Sequence, residues 1–99
     1  MMLGSTLAAR KAEEIGLIWK AVPGDTLADE AYGLARHLAT QPTAGLGLIK
    51  RALNASLDNT LDDQLDLEAE YQGLAGRTHD YQEGVAAFLA KRAPTFTGR

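Results

Sequence analysis

Apolar residues recur every three or four positions along most of this chain, the spacing that lines them up on one face of an α-helix. The first stretch is short. Ala8, Ala12 and Ile15 share a face, and Gly16 ends it as a C-cap residue. Leu17 to Val22 then reads as a short extended run. Pro23-Gly24-Asp25 makes a turn, with Asp25 or Thr26 as the N-cap of the next helix. That helix runs to about Thr40 on a stripe of Leu27, Ala31, Leu34, Ala35 and Leu38. Its acids, Asp29 and Glu30, come early, while Arg36 and His37 come late, as the helix macrodipole favours. Gln41-Pro42 breaks the pattern.

A third main helix covers about Thr43 to Leu57, with Leu46, Ile49, Leu53 and Leu57 as its stripe. Gly45 and Gly47 weaken its first turns by up to about 1 kcal/mol each relative to alanine. Such a cost points to close helix packing there. Asp58-Asn59-Thr60 offers a turn and a cap. A fourth helix then covers about Leu61 to Ala75, with Leu61, Leu65, Tyr71 and Ala75 inward and Gly76 as its stop. The last runs from His79 to about Lys91, with Tyr81, Val85, Phe88 and Leu89 apolar and Pro94 beyond its end. The predicted fold class is all-α: about five amphipathic helices with one short extended segment, packed as neighbours through short loops.

Composition narrows the function classes. The chain has 99 residues, 45% apolar and 23% charged, enough for one domain with a modest core. A net charge of −3 gives no electrostatic footprint for nucleic acid or an anionic membrane. No window approaches the roughly 18–20 apolar residues of a membrane span. Met1-Met-Leu-Gly4 lacks the basic and apolar regions of a signal peptide, which points to the cytoplasm. With no cysteine, disulfides, thiol catalysis and Cys-based zinc sites are excluded.

Several runs carry a family resemblance. The tail Glu83-Gly-Val-Ala-Ala-Phe-Leu-Ala-Lys-Arg-Ala-Pro-Thr-Phe96 resembles the C-terminus of the crotonase superfamily, the enoyl-CoA hydratases and isomerases. Leu3 to Ile18 resembles another segment of that family, with Ala12, Gly16 and Leu17 on its strongest positions. Ala8 departs from it, because a helix-capping Ser is usual there, and losing that cap costs roughly 1 kcal/mol. Gln41-Pro42-Thr43 with Lys50, Asn59-Thr60-Leu61 through Glu68, and Gly76-Arg77-Thr78 with Asp80 also fit. Gly16 to Lys20, Ala35 to Pro42, Gly45 to Lys50 and Leu65 to Glu68 resemble the family's branch of phenylacetate breakdown.

The resemblance implies that residues 1–99 are the C-terminal helical domain of a crotonase fold, without the N-terminal catalytic spiral. It implies a capping and oligomerisation role in an enzyme acting on acyl-CoA thioesters. Coenzyme A enters as part of the substrate, not as a prosthetic group, and the assembly is a homo-oligomer with no nucleic-acid or membrane partner. Family chemistry polarises the thioester carbonyl in an oxyanion hole and moves protons with carboxylates. No residue of this chain maps to a catalytic acid or base, and Met1-Met2 corresponds to the last turn of a helix beyond them. The chain alone is therefore expected to be inactive. The alternative is a stand-alone, non-catalytic helical interaction module.

Phe88 and Lys91 are the positions that the resemblance implies for coenzyme A binding, the lysine meeting a phosphate as a flexible point charge. Read from the pattern alone, Phe88 is a core residue and Lys91 a solvated charge at a helix C-terminus. Imidazole suits a general base near neutral pH, which makes His37 and His79 candidates, but neither has a nucleophile or metal-spaced partner close in sequence, and both read as surface residues. Asp62, Asp66 and Glu70 repeat at four on one helical side, without the glycine-containing spacing of a cation loop, and read as a solvated face rather than a metal site. Gly45-Leu-Gly47 is no phosphate loop, lacking the strand before it and the Gly-Lys-Ser/Thr after it. Trp19 reads as packing.

Overall fold

A computed structural model describes residues 4–99, so Met1, Met2 and Leu3 of the quoted motifs lie outside the described residues. Among the described residues five helices follow one another: α1 (Ala9–Glu14), α2 (Leu27–Ala39), α3 (Thr43–Ala55), α4 (Leu61–Gly76) and α5 (His79–Leu89). No strand occurs among the described residues. The chain forms two compact units, one reaching to Gly33 and one from Leu34 to Arg99, with the division inside α2.

In the first unit, α1 starts at Ala8 without any side-chain cap, the consequence of having alanine where a hydroxyl would accept a backbone N–H. It ends in a Schellman motif. Gly16 takes φ +72°, its N–H donates to the Glu13 carbonyl at 2.9 Å, and the Leu17 N–H donates to Ala12 at 2.8 Å. Ala12 is the buried residue of this helix. The expected extended run is corrected. Leu17 to Trp19 forms bends, because no neighbouring strand offers the ladder that would hold it extended. Trp19 is 75% exposed, so the packing expected of it is also corrected. Further on, both the hydroxyl and the N–H of Thr26 donate to the Pro23 carbonyl.

The second unit is built on α3, α4 and α5, with α3 against α4 and α4 against α5. The inward face of α3 is not the leucine stripe. Leu48 is buried and Ala44, Gly45, Leu46, Gly47, Ala52 and Ala55 are half-buried, while Ile49, Leu53 and Leu57 of the expected stripe are exposed. On α4 the half-buried set is Gln64, Leu67, Tyr71 and Ala75, whereas Leu61 and Leu65 face outward. Polarity hid Gln64. Its amide N–H₂ donates to the Ala52 carbonyl on α3 at 3.2 Å and to Glu68 at 2.8 Å, while its oxygen accepts from Asn59. Arg51 lies 5.9 Å from the centre of the Tyr71 ring and adds a cation–π contact between the same helices.

Thr60 caps α4, accepting from the Asp63 N–H at 3.3 Å and donating its hydroxyl to the Asp63 carboxylate at 2.6 Å. Gly76 is the last residue of the helix and Arg77 its C-cap, so the helix ends within one residue of the expected place, without Gly76 taking a left-handed stop. Thr78 then caps α5 by accepting from the Tyr81 N–H at 3.1 Å.

Close packing at Gly45 and Gly47 is not found: a Cβ at either would meet no atom within 4 Å. Both glycines therefore bring the flexibility cost without a steric need. Gly47→Ala is expected to stabilise the chain by about 0.5–1 kcal/mol. Urea unfolding measures it, and a midpoint that does not rise would contradict the open space seen there.

The inward face of α5 differs most from its apolar pattern. Tyr81, Val85, Phe88 and Leu89 are exposed, and Asp80, Glu83, Gly84 and Ala87 face inward, with Asp80 and Ala87 each 1% exposed. The spacing of three, four and seven is helical, but two acids, a glycine and an alanine carry no hydrophobic signal. The last residues of the chain cover this face.

Candidate functional site

Helix α5 ends in a second Schellman motif, and it holds the two binding candidates. The Arg92 N–H donates to the Ala87 carbonyl at 3.0 Å and the Lys91 N–H to the Phe88 carbonyl at 3.1 Å. Lys91 thus occupies the left-handed position where glycine is usual, with φ +52°. A side chain there costs roughly 1 kcal/mol relative to glycine. The motif also fixes Phe88 and Lys91 relative to each other, one turn apart. Phe88 is 82% exposed, so the core reading of its ring is corrected.

Beyond Lys91 the chain turns back as a strap along α5, tied down by two carboxylates. Arg92 grips Glu83 with two parallel bonds of 2.6 and 2.7 Å, and the Thr95 N–H donates to the same carboxylate at 2.7 Å. The Arg92 guanidinium, with the Thr95 N–H, pulls the Glu83 carboxyl down to about 2. Asp80 receives the Thr97 N–H and the Gly98 N–H, each at 2.7 Å, and the Thr97 hydroxyl at 3.2 Å. In return its own N–H donates to the Arg99 carbonyl at 2.9 Å. Burial alone would raise the Asp80 carboxyl; the bonds from Thr97 and Gly98, with the charge of His79, outweigh it and leave it below the usual range.

Between the helices and this strap lies an open groove of about 390 Å³. Pro42 and Gly45 line it from the α3 side, Ala75 from α4, Tyr81, Val85 and Phe88 from α5, and Phe96 from the strap. Asp80 also reaches the lining, but its oxygens are occupied. The groove can therefore bind an apolar or aromatic group, and it presents no free acid for proton transfer; Lys91 follows the helix and is not part of its lining. A second groove of about 420 Å³ lies between α3 and α4, with Gln64, Glu68 and Gln72 on its polar side.

The other candidates stay apart from it. His37 is exposed on α2 with no side-chain partner among the described residues, and the His79 side chain is 60% exposed, its Nδ1 3.8 Å from Asp80. Asp62, Asp66 and Glu70 are exposed on α4, and no group of three metal-ligating side chains occurs among the described residues. Among the described residues, no helix is long and apolar enough to cross a membrane. Asp80 and Glu83 stood inside quoted motifs but received no role, because a buried acid gives no apolar signal. The donors opposite them, Thr95 to Gly98, are mostly backbone N–H groups that no sequence pattern displays.

Compared with known proteins, residues 1–99 match the family Enoyl-CoA hydratase/isomerase. Over 98 residues the chain is 64% identical to 1,2-epoxyphenylacetyl-CoA isomerase of Escherichia coli K12, covering 99% of this chain and 37% of that protein. It is 33% identical over 99 residues to 2,3-dehydroadipyl-CoA hydratase of the same organism, covering 39% of that protein. The crystal structure of an enoyl-CoA hydratase from Geobacillus kaustophilus superposes with a TM-score of 0.93 at 33% identity, over 99% of this chain and 37% of that one. The chain thus spans well under half the length of these relatives. One expectation is corrected: the matches align with the N-terminal region of crotonase proteins, so placement as the C-terminal helical domain does not stand. Caps, glycine stops and apolar spacing mark helix ends and do not by themselves fix a place in a longer chain.

Proposed function

This chain belongs to the enoyl-CoA hydratase/isomerase family, and we propose that it forms the part of an acyl-CoA enzyme that holds the thioester substrate through the groove beside α5. The observation that carries the reading is the pairing at the end of α5: an exposed aromatic on an apolar groove, followed by a lysine kept where glycine would cost less. A strained position retained in spite of its cost points to a task for the side chain. In this reading Phe88 packs on the apolar or aromatic part of the ligand and Lys91 meets a phosphate of coenzyme A. The 64% identity to 1,2-epoxyphenylacetyl-CoA isomerase supports an aromatic acyl-CoA of phenylacetate catabolism as the substrate. No catalytic step is assigned to a residue of this chain. The exposed Ile49, Leu53, Leu57, Leu61 and Leu65 support an oligomeric parent enzyme, in which they would form subunit contacts.

The Lys91→Gly variant tests the lysine against a purely structural role. It relieves the left-handed backbone and removes the ammonium together. Stability should rise by about 0.5–1 kcal/mol, while affinity for coenzyme A, measured by equilibrium dialysis, falls up to about fivefold, the worth of one exposed ion pair. A more stable variant with unchanged coenzyme A affinity would contradict the phosphate contact.

A further inference from the structure

We propose that Asp80 is a positioning residue for the groove: it holds the C-terminal strap so that Phe96 forms one wall, and so sets which acyl groups the groove accepts. The proposal rests on the reading that the groove takes part of an acyl-CoA. Three observations lead to it. Asp80 is 1% exposed and has no cation as its main partner; His79 lies 3.8 Å off and is largely solvated. A buried carboxylate is costly unless its oxygens are filled, and here they are filled by the strap, through Thr97 and Gly98. The N-terminus of α5 does not need this acid as a cap, because Thr78 already supplies the capping oxygen.

The second observation is where the strap then runs. Phe96 packs beside Gly84, where an added Cβ would lie 3.7 Å from the ring, and both residues line the groove. Third, the strap has little apolar anchorage of its own. Apart from half-buried Phe96, its attachments are the bonds to Asp80 and Glu83, the Asp80 N–H to Arg99, and the fit of Gly98 against Thr43. The place of the Phe96 ring therefore depends on a carboxylate whose oxygens are taken up by the strap.

Asp80→Asn in the full chain tests this. The amide keeps the shape but turns an N–H₂ toward the Thr97 or Gly98 N–H, donor against donor. Amide exchange at Thr97 and Gly98 should accelerate by at least about tenfold, as when a local element loses its protection. The nuclear Overhauser contact between the Phe96 ring and Gly84 should disappear. Affinity for phenylacetyl-CoA should fall about three- to tenfold, the worth of one aromatic contact, and affinity for coenzyme A without an acyl group should change less. General destabilisation would lower both alike. Phe96→Ala should reproduce the selective loss with Thr97 and Gly98 still protected.

Protected strap amides or a persisting Phe96–Gly84 contact in Asp80→Asn would overturn the proposal. So would a released strap with the ratio of the two affinities unchanged. If the parent chain binds phenylacetyl-CoA no better than coenzyme A, the acyl-site reading of the groove fails, and the exchange and Overhauser results still decide whether Asp80 positions Phe96.

Discussion

Gly98→Val is expected to unlatch the end of the chain and lower stability by about 2 kcal/mol. Gly98 sits at φ +81°, a region that costs an ordinary side chain roughly 1–2 kcal/mol and a β-branched one more. A Cβ there would also lie 2.6 Å from the Thr43 hydroxyl oxygen. Thr43 can rotate to relieve part of that overlap, so the backbone contributes the larger share. The loss is bounded by the free energy with which the strap docks, since the strap can peel away while α3, α4 and α5 stay packed. The thermal midpoint should fall by about 8–16 °C if a loss of that size is shared by the whole unit. It should fall by less, with rapid exchange confined to the last residues and to the Asp80 N–H, if the strap opens alone. An unchanged midpoint with a protected Asp80 N–H would show that Gly98 is no latch.

Acid should release the same strap through Glu83 and Asp80. Both carboxyls have folded values below their ordinary ones, Glu83 reaching about 2. For groups depressed in this way, the unfolded chain binds protons first as pH falls. Their contribution is therefore complete above the ordinary carboxylate range, near pH 4.5. It is lost progressively as pH falls toward 2. Above neutrality nothing further is gained from either group. Thermal unfolding between pH 7 and 2 should show a flat upper limb and a steep acid limb, and Glu83→Gln should make the acid limb shallower. A variant that keeps the parent's slope would place the acid sensitivity outside the strap.

The helices were legible because capping and periodicity are local properties. Thr60, Pro42 and Gly16 mark their ends in the folded chain as they do in the sequence. Which face of each helix is covered was legible only in part: Tyr71 and Ala75 are half-buried on α4 as expected, whereas Leu61 and Leu65 are exposed. Leu46, Ile49, Leu53 and Leu57 form a proper stripe, yet α4 packs on the smaller face of Leu48 and Ala52. Gln64 sits in that contact because its amide reaches a backbone carbonyl across the helices. Periodicity reports that a face is apolar and says nothing about what lies against it. The strap shows the same limit more sharply. Asp80, Glu83, Gly84 and Ala87 form the covered face of α5, and the groups that cover it are chiefly N–H donors, identical in every residue but proline. Phe88 and Lys91 stood out through resemblance alone. Their relation to each other follows from the left-handed turn at Lys91, which a lysine does not advertise.

The most direct test of the groove is an NMR titration of the full chain with phenylacetyl-CoA, followed amide by amide. Shifts are expected at Gly84, Val85, Phe88, Lys91 and Phe96 that saturate together, with Gln64, Glu68 and Tyr71 unmoved. Shifts concentrated instead on Gln64, Glu68 and Tyr71, or none at saturating ligand, would contradict that expectation.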